Sequence, residues 1–106
     1  MATFKLRQKP RCVEVAPPYE LIGGFLSMEA TSPRVREEIF KGIRQVREGA
    51  LTQYSGGWNA HEIVVRVDYV RVIEYGEYNG AEDLQCKMPL AEFEEIANAW
   101  NRHMRR

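Results

Sequence analysis

The segment HEIVVRVDYVRVIEY, residues 61–75, decides the predicted fold because its valines and isoleucines largely alternate with other residues. Alternation with a period of two is typical of a half-buried β-strand. Val67 and Val70 are an odd number of positions apart, however, so one straight strand would place them on opposite faces. A turn at Asp68-Tyr69 would keep the inward residues together. The pattern therefore predicts a β-hairpin in which Val67 lies opposite Val70.

The outward face of this hairpin is only half apolar. It would carry Val64, Ile73 and Tyr75, and Arg66 would face Arg71. Apolar residues grouped on the outer side of a sheet are either covered by the chain itself or used for contact with a partner. A homo-oligomeric structural or regulatory module, such as a homodimer, that self-associates through Val64, Ile73 and Tyr75 is therefore one hypothesis for this protein.

Strands and one helix are predicted before the hairpin. FKLRQ (4–8) and CVEV (12–15) alternate as strands do, and YELIGGFLSME (19–29) is interpreted as a longer strand that bends at Gly23-Gly24. Ser32-Pro33 marks the start of a helix that ends at Gly49. An apolar stripe on this helix predicts core packing: Val35, Ile39, Ile43 and Val46. Its basic residues predict a solvated face: Arg34, Arg36, Lys41, Arg44 and Arg47.

The C-terminal part adds a strand and a second helix. In LQCKM (84–88), Leu84, Cys86 and Met88 are expected to point inward, and a helix is expected from Pro89. One face of that helix is apolar: Leu90, Phe93, Ile96, Ala97, Trp100 and Met104. Residues 1–106 are thus predicted to form a single α+β domain, with an antiparallel β-sheet of about five to six strands and two helices packed mainly on one face.

Composition argues against several classes of function. The net charge is zero, with nine Lys/Arg against six Asp/Glu in residues 1–49 and six against nine in residues 50–106. A neutral domain is a poor candidate for non-specific nucleic-acid binding. We expect neither a membrane span nor a secretory signal, and we expect Cys12 and Cys86 to be reduced and half-buried in a cytoplasmic protein.

No catalytic, metal or cofactor site is predicted. Neither cysteine has a histidine in a recognisable sequence context. His61 and Glu62 are neighbours in a strand and point to opposite faces, so His61 is expected at the surface where the strand starts. The acidic residues lack EF-hand spacing, and no glycine-rich segment matches a phosphate-binding loop. An enzyme is therefore not expected.

Acidic and aromatic residues are concentrated between Arg71 and Lys87, where no basic residue occurs. We call this set the acidic rim: Glu74, Tyr75, Glu77, Tyr78, Glu82 and Asp83. Tyrosine is enriched at protein interfaces, and carboxylates around it would steer a basic partner. A solvated loop is the alternative interpretation. The candidate partner-binding residues are Tyr75, Glu77, Tyr78, Glu82 and Asp83, with Asp68, Tyr69 and Trp58 as further candidates.

The layout of the chain resembles the small bacterial YacL-like family, whose members resemble immunity proteins of contact-dependent growth inhibition (CDI) systems, the CdiI-like proteins. The matching stretches precede and follow the first predicted helix: FKLRQKPRCVEV, PYELIGGFLSMEA, WNAHEIVVRVDYVRVI, GAEDLQCKM and LAEFEEIANAWNRHM. The connection between hairpin and last strand is shorter here than in the family. The resemblance implies a cytoplasmic, non-catalytic protein that binds a cognate toxin domain one to one. Such a toxin is often a nuclease.

Overall fold

The computed structural model describes residues 2–105, which form six strands and four helices. In these elements the apolar residues recur at the period of a strand or of a helix, and they form the side that faces the core. In chain order they are β1 (Phe4–Gln8), β2 (Arg11–Val15), α1 (Glu20–Glu29), α2 (Pro33–Arg47), β3 (Tyr54–Gly57), β4 (His61–Val65), β5 (Tyr69–Glu74), α3 (Gly76–Asn79), β6 (Leu84–Pro89) and α4 (Leu90–Met104).

The α+β class is confirmed, and its details differ from the prediction. The strands form two antiparallel sheets, one of order β3-β4-β5-β6 and one of order β1-β2, rather than a single sheet of five to six strands. There are four helices in the described residues, not two. One core joins buried residues of the four-stranded sheet, the β1-β2 pair and helices α1, α2 and α4.

The predicted strand at 19–29 is wrong, because residues 20–29 form helix α1. Ile22, Phe25 and Leu26 are buried at helical spacing, so the period is that of a helix. Gly23 has a packing role instead of marking a bend. A Cβ on Gly23 would lie 2.7 Å from the carbonyl oxygen of Val13, so only glycine lets α1 approach β2 this closely.

The hairpin is present, but its register differs from the prediction. Val65 pairs with Val70, and Val67 is 64% exposed in a turn closed by the Arg66 N–H and the Tyr69 carbonyl (2.8 Å). Val67-Asp68 is therefore the turn, and Tyr69 is the first residue of β5. Tyrosine favours a strand, whereas aspartate favours a turn. As a consequence Arg71 pairs with Val64 and not with Arg66.

Helix α2 has the predicted ends and the predicted apolar stripe. The Ser32 hydroxyl accepts a hydrogen bond from the Val35 N–H (3.3 Å), and Gly49 follows the helix with φ of +81°. The solvated basic face is wrong for Arg36, which is only 5% exposed. Its Nε donates to Asn101 Oδ1 (2.7 Å) and its Nη1 to the Ala30 and Thr31 carbonyls. Desolvation therefore lowers the pKa of Arg36.

The last strand and helix follow the prediction with one exception. Met88 is buried and Cys86 half-buried, but Leu84 is 51% exposed where β6 begins. The inward stripe of α4 is buried up to Trp100, whose Nε1–H donates to the Ala30 carbonyl (2.9 Å). No helix in residues 2–105 is long and apolar enough to cross a membrane.

Candidate protein-binding site

The acidic rim lies between β5 and β6 and includes a short helix. Helix α3 spans only Gly76–Asn79 and ends at Gly80, whose φ is +74°. Asn79-Gly80 is the turn signal that the sequence contains at this point, and the left-handed conformation requires a residue such as glycine. A Cβ on Gly76 would clash with the carbonyl oxygen of Ala81. The loop is therefore tightly folded on itself.

Side chains of the rim hold this loop in one conformation. Asp83 Oδ1 accepts a hydrogen bond from the Gly76 N–H (2.6 Å). Asn79 donates to Glu74 Oε2 (3.0 Å) and accepts from the Ala81 N–H (2.8 Å). These bonds satisfy backbone groups at both ends of α3. Asp83 and Glu74 thus have structural roles.

The remaining polar groups of the rim project into solvent. Glu77 and Glu82 are exposed, and Tyr78 is 55% exposed. Within residues 2–105, neither Glu77, Glu82 nor Asp83 forms an ion pair with a basic side chain. The rim is consequently an ordered surface of uncompensated negative charge around an exposed aromatic ring.

Tyr75 is half-buried at the border between the rim and the outer face of the sheet. Its N–H donates to the Ala60 carbonyl (2.9 Å), and a Cβ on Gly57 would lie 3.4 Å from its hydroxyl. Burial, followed by the charges of Glu62 and Asp83, raises the pKa of Tyr75 above 10.0. The hydroxyl of Tyr75 therefore stays protonated at neutral pH.

The structure separates the three further candidates. Trp58 lies in the β3–β4 turn, at the same end of the sheet as the rim, and its ring packs 5.7 Å from that of Phe25. Asp68 and Tyr69 lie in and after the β4–β5 turn, at the opposite end of β5. Trp58 therefore lies at the end of the sheet that carries the rim, and Asp68 and Tyr69 lie at the other end.

A buried polar cluster that is not predicted from the sequence lies beneath the rim. His61 is 1% exposed, and its two ring nitrogens face two carboxylates. Nδ1 lies 2.8 Å from Glu29 Oε2 and Nε2 lies 3.4 Å from Glu74 Oε1. Glu29 also accepts from the Ala60 N–H (2.9 Å), and the Tyr78 ring is 6.5 Å from the imidazole. The cluster links α1, β4 and β5 directly below the exposed tyrosine.

The expectation that His61 lies at the surface is therefore wrong. His61 follows the inward parity of Ile63 and Val65, which was visible in the sequence. Its partner Glu29 could not be identified while residues 19–29 were interpreted as a strand. As a member of the helical series Ile22, Leu26, Glu29, it faces the core.

The geometry offers little to nucleophilic chemistry. His61 is sealed between two carboxylates, with no exposed nitrogen for a substrate. The Cys86 thiol lies 3.7 Å from the Pro18 carbonyl, and burial together with the charge of Glu20 raises its pKa, so it is a weak nucleophile. In the described part of the chain no three His, Cys, Asp or Glu side chains are grouped to hold a metal ion.

No family model, no curated protein and no solved structure matches this chain. A functional assignment therefore depends on the geometry of residues 2–105 and on the charges that the fold leaves exposed. The acidic rim is the feature in which order, exposed aromatic area and unpaired charge coincide. Exposed aromatic residues are enriched at protein–protein interfaces, and carboxylates around such a residue can steer a basic partner.

Proposed function

We propose that the protein is a non-catalytic bacterial immunity protein that acts in the cytoplasm. It binds a cognate toxin domain one to one and neutralises it by occluding the active site or the substrate path. A toxin that acts on nucleic acid needs a basic substrate-binding surface. The acidic rim is complementary in charge to such a surface.

The observation that carries this proposal is the ordered, uncompensated charge of the acidic rim. Glu77 and Glu82 are exposed on a loop that Asp83 and Asn79 hold in place. An ordered loop loses little conformational entropy on binding, which favours affinity. Tyr78 adds exposed aromatic area among these charges. The carboxylates of the rim thus steer a basic partner, and Tyr78 serves as the anchor.

The buried cluster supports a binding role for the same surface. Glu74 bridges it to the rim, because one oxygen faces His61 and the other accepts from Asn79. Tyr78 is consequently presented by a loop attached to the core rather than by a free surface loop. Aromatic anchors on rigid supports are typical of interface hot spots.

Co-expression tests the proposal. We would express the chain together with the C-terminal domain encoded by the gene immediately upstream, and measure survival and co-purification. Rescue with a stable one-to-one complex is the expected result. A toxic upstream domain that still kills in the presence of the folded chain, without co-purification, would contradict the proposal for that pair.

A further inference from the structure

The two sheets have edge strands whose backbone groups are used in different ways. On β2, the Val13 N–H donates to the Ser27 hydroxyl (2.9 Å), which itself donates to the Val13 carbonyl (3.2 Å), so α1 closes this edge. Strand β6 carries Lys87 and ends at Pro89, and β1 carries a lysine and an arginine. Charged residues and proline on an edge strand oppose pairing with a further strand.

Strand β3 is an edge strand without such protection. It forms one edge of the four-stranded sheet, and its sequence YSGG contains neither a charged residue nor a proline. Ser55 and Gly57 are exposed. Because Gly57 has no side chain, its exposed area is backbone. The side of β3 that faces away from β4 is therefore open to solvent.

The hydrogen-bond pattern identifies the free backbone groups of β3. The Trp58 N–H donates to the His61 carbonyl (2.9 Å) next to the β3–β4 turn. Hydrogen-bonded and non-hydrogen-bonded positions alternate along an antiparallel pair, so the even-numbered residues of β3 bond to β4. The N–H and C=O groups of Ser55 and Gly57 consequently point away from β4. Within residues 2–105 these four groups form no hydrogen bond.

Aromatic side chains lie on both sides of this edge. On the inner side, a Cβ on Gly56 would lie 2.8 Å from the Trp58 ring and 2.9 Å from the Tyr54 hydroxyl, so glycine is needed beneath these half-buried rings. On the outer side, a Cβ on Gly57 would be in van der Waals contact with the Tyr75 hydroxyl (3.4 Å). A strand added to β3 would therefore lie beside aromatic surface and next to the acidic rim.

We infer that β3 pairs with an extended segment of the toxin domain, which adds a strand to the sheet; this inference rests on the proposed function. Two N–H and two C=O groups at alternate positions along an edge are complementary to the backbone of an extended polypeptide. A phosphate or carboxylate ligand could use the N–H groups only. The backbone bonds contribute affinity, and Tyr54 and Trp58 contact the side chains that alternate on the inner side.

The acidic rim favours the toxin domain over other extended chains. Tyr75 belongs to the rim and lies against Gly57, so one partner can contact the rim and pair with β3 at the same time. The carboxylates of the rim steer a basic partner toward this end of the sheet. A second copy of the chain has no net positive charge, so the rim does not attract it.

Amide hydrogen exchange, measured by NMR on the full chain, tests this inference. In the free protein the Ser55 and Gly57 amides should exchange freely, whereas the Gly56 amide, bonded to β4, should exchange slowly. In the complex with the co-purified toxin domain, inactivated by mutation, the Ser55 and Gly57 amides should exchange at least about tenfold more slowly.

The outcomes separate this inference from the proposed function. A complex in which the Ser55 and Gly57 amides exchange as in the free protein overturns the inference and leaves the proposed function standing. Protection of both amides in the free protein also overturns it, because the edge would already be paired. A toxin domain that forms no complex contradicts the proposed function, and the inference fails with it.

Ser55→Pro provides a second test, by calorimetry with the same toxin domain. Proline removes an N–H that points to solvent, so the bonds between β3 and β4 are kept. Lys87→Pro is the matched control on the opposite edge, because Arg71, its partner on β5, bonds to β4 instead. Ser55→Pro should weaken binding at least about tenfold and Lys87→Pro by less than about twofold, with both variants folded by circular dichroism. Wild-type affinity of Ser55→Pro would overturn the inference.

Discussion

At the scale of single residues, the buried polar cluster of Glu29, His61 and Glu74 affects folding stability through the partners that each side chain finds. Charged or polar groups are costly to bury unless each finds a partner. His61 Nδ1 pairs with Glu29, which also accepts from the Ala60 N–H, whereas His61 Nε2 lies 3.4 Å from Glu74 Oε1 without a hydrogen bond. Removing one member leaves the polar groups of the others buried without a partner, which lowers the free energy of unfolding.

His61→Phe is accordingly expected to lower the free energy of unfolding by about 3 kcal/mol, because it leaves the Glu29 carboxylate buried without the imidazole. Urea denaturation followed by circular dichroism measures the change. The double variant His61→Phe/Glu29→Gln removes the charge and keeps an acceptor for the Ala60 N–H, and should recover a large part of the loss. A single variant within about 1 kcal/mol of the wild type would contradict the role of the cluster.

Tyr75 makes a prediction about alkaline pH. Its raised pKa means that the folded protein holds the phenol proton more tightly than the unfolded chain does. This contribution to stability is complete below pH 10.0 and is lost as pH rises through the folded pKa. Tyrosinate absorbance of the wild type minus that of Tyr75→Phe should titrate with a midpoint above 10.0. A midpoint at or below that value would refute the environment described for Tyr75.

At the scale of elements, the loop between β5 and β6 is ordered by its own side chains. Asp83 stabilises the start of α3 through the Gly76 N–H, and Gly80 ends the helix in a left-handed conformation. A helix of four residues is too short to be stable alone. Its order therefore depends on these contacts.

Asp83→Ala should loosen the acidic rim without unfolding the domain. Loss of the hydrogen bond, worth about 1 kcal/mol, should accelerate exchange of the Gly76 amide about fivefold. Asp83→Asn is the matched control, because its amide oxygen can still accept from the Gly76 N–H. Equal exchange at Gly76 in the wild type and the alanine variant would show that the bond does not order the loop.

Prediction from sequence was more successful for some elements than for others. Helix α2 was predicted because Ser32-Pro33 and Gly49 are local signals, and a helix needs only its own residues to display its period. Helix α1 was missed because Gly23-Gly24 has low helix propensity, and the packing role of Gly23 becomes visible only when Val13 is placed against it. The predicted turn of the hairpin lies one position too late in the chain. The predicted and the observed registers keep the same strand residues inward, so the alternation alone does not distinguish them. The rim was located from composition, but its internal bonds depend on tertiary structure.

At the scale of the whole molecule, helices α1, α2 and α4 cover one face of the four-stranded sheet, leaving the outer face and the acidic rim for contact. The rim is uniformly acidic, whereas the outer face carries both signs of charge. The rim therefore suits a basic partner. Tyr75 lies where the two surfaces meet.

The central claim is that the acidic rim binds the toxin domain, and a binding titration tests it most directly. Isothermal calorimetry of the co-purified toxin domain, inactivated by mutation, with the wild type, Tyr78→Ala and Glu82→Ala should show a loss of about 1 kcal/mol or more for each variant. Val67→Ala and Glu95→Ala change exposed residues outside the rim and serve as controls. Wild-type affinity for both rim variants would contradict the claim.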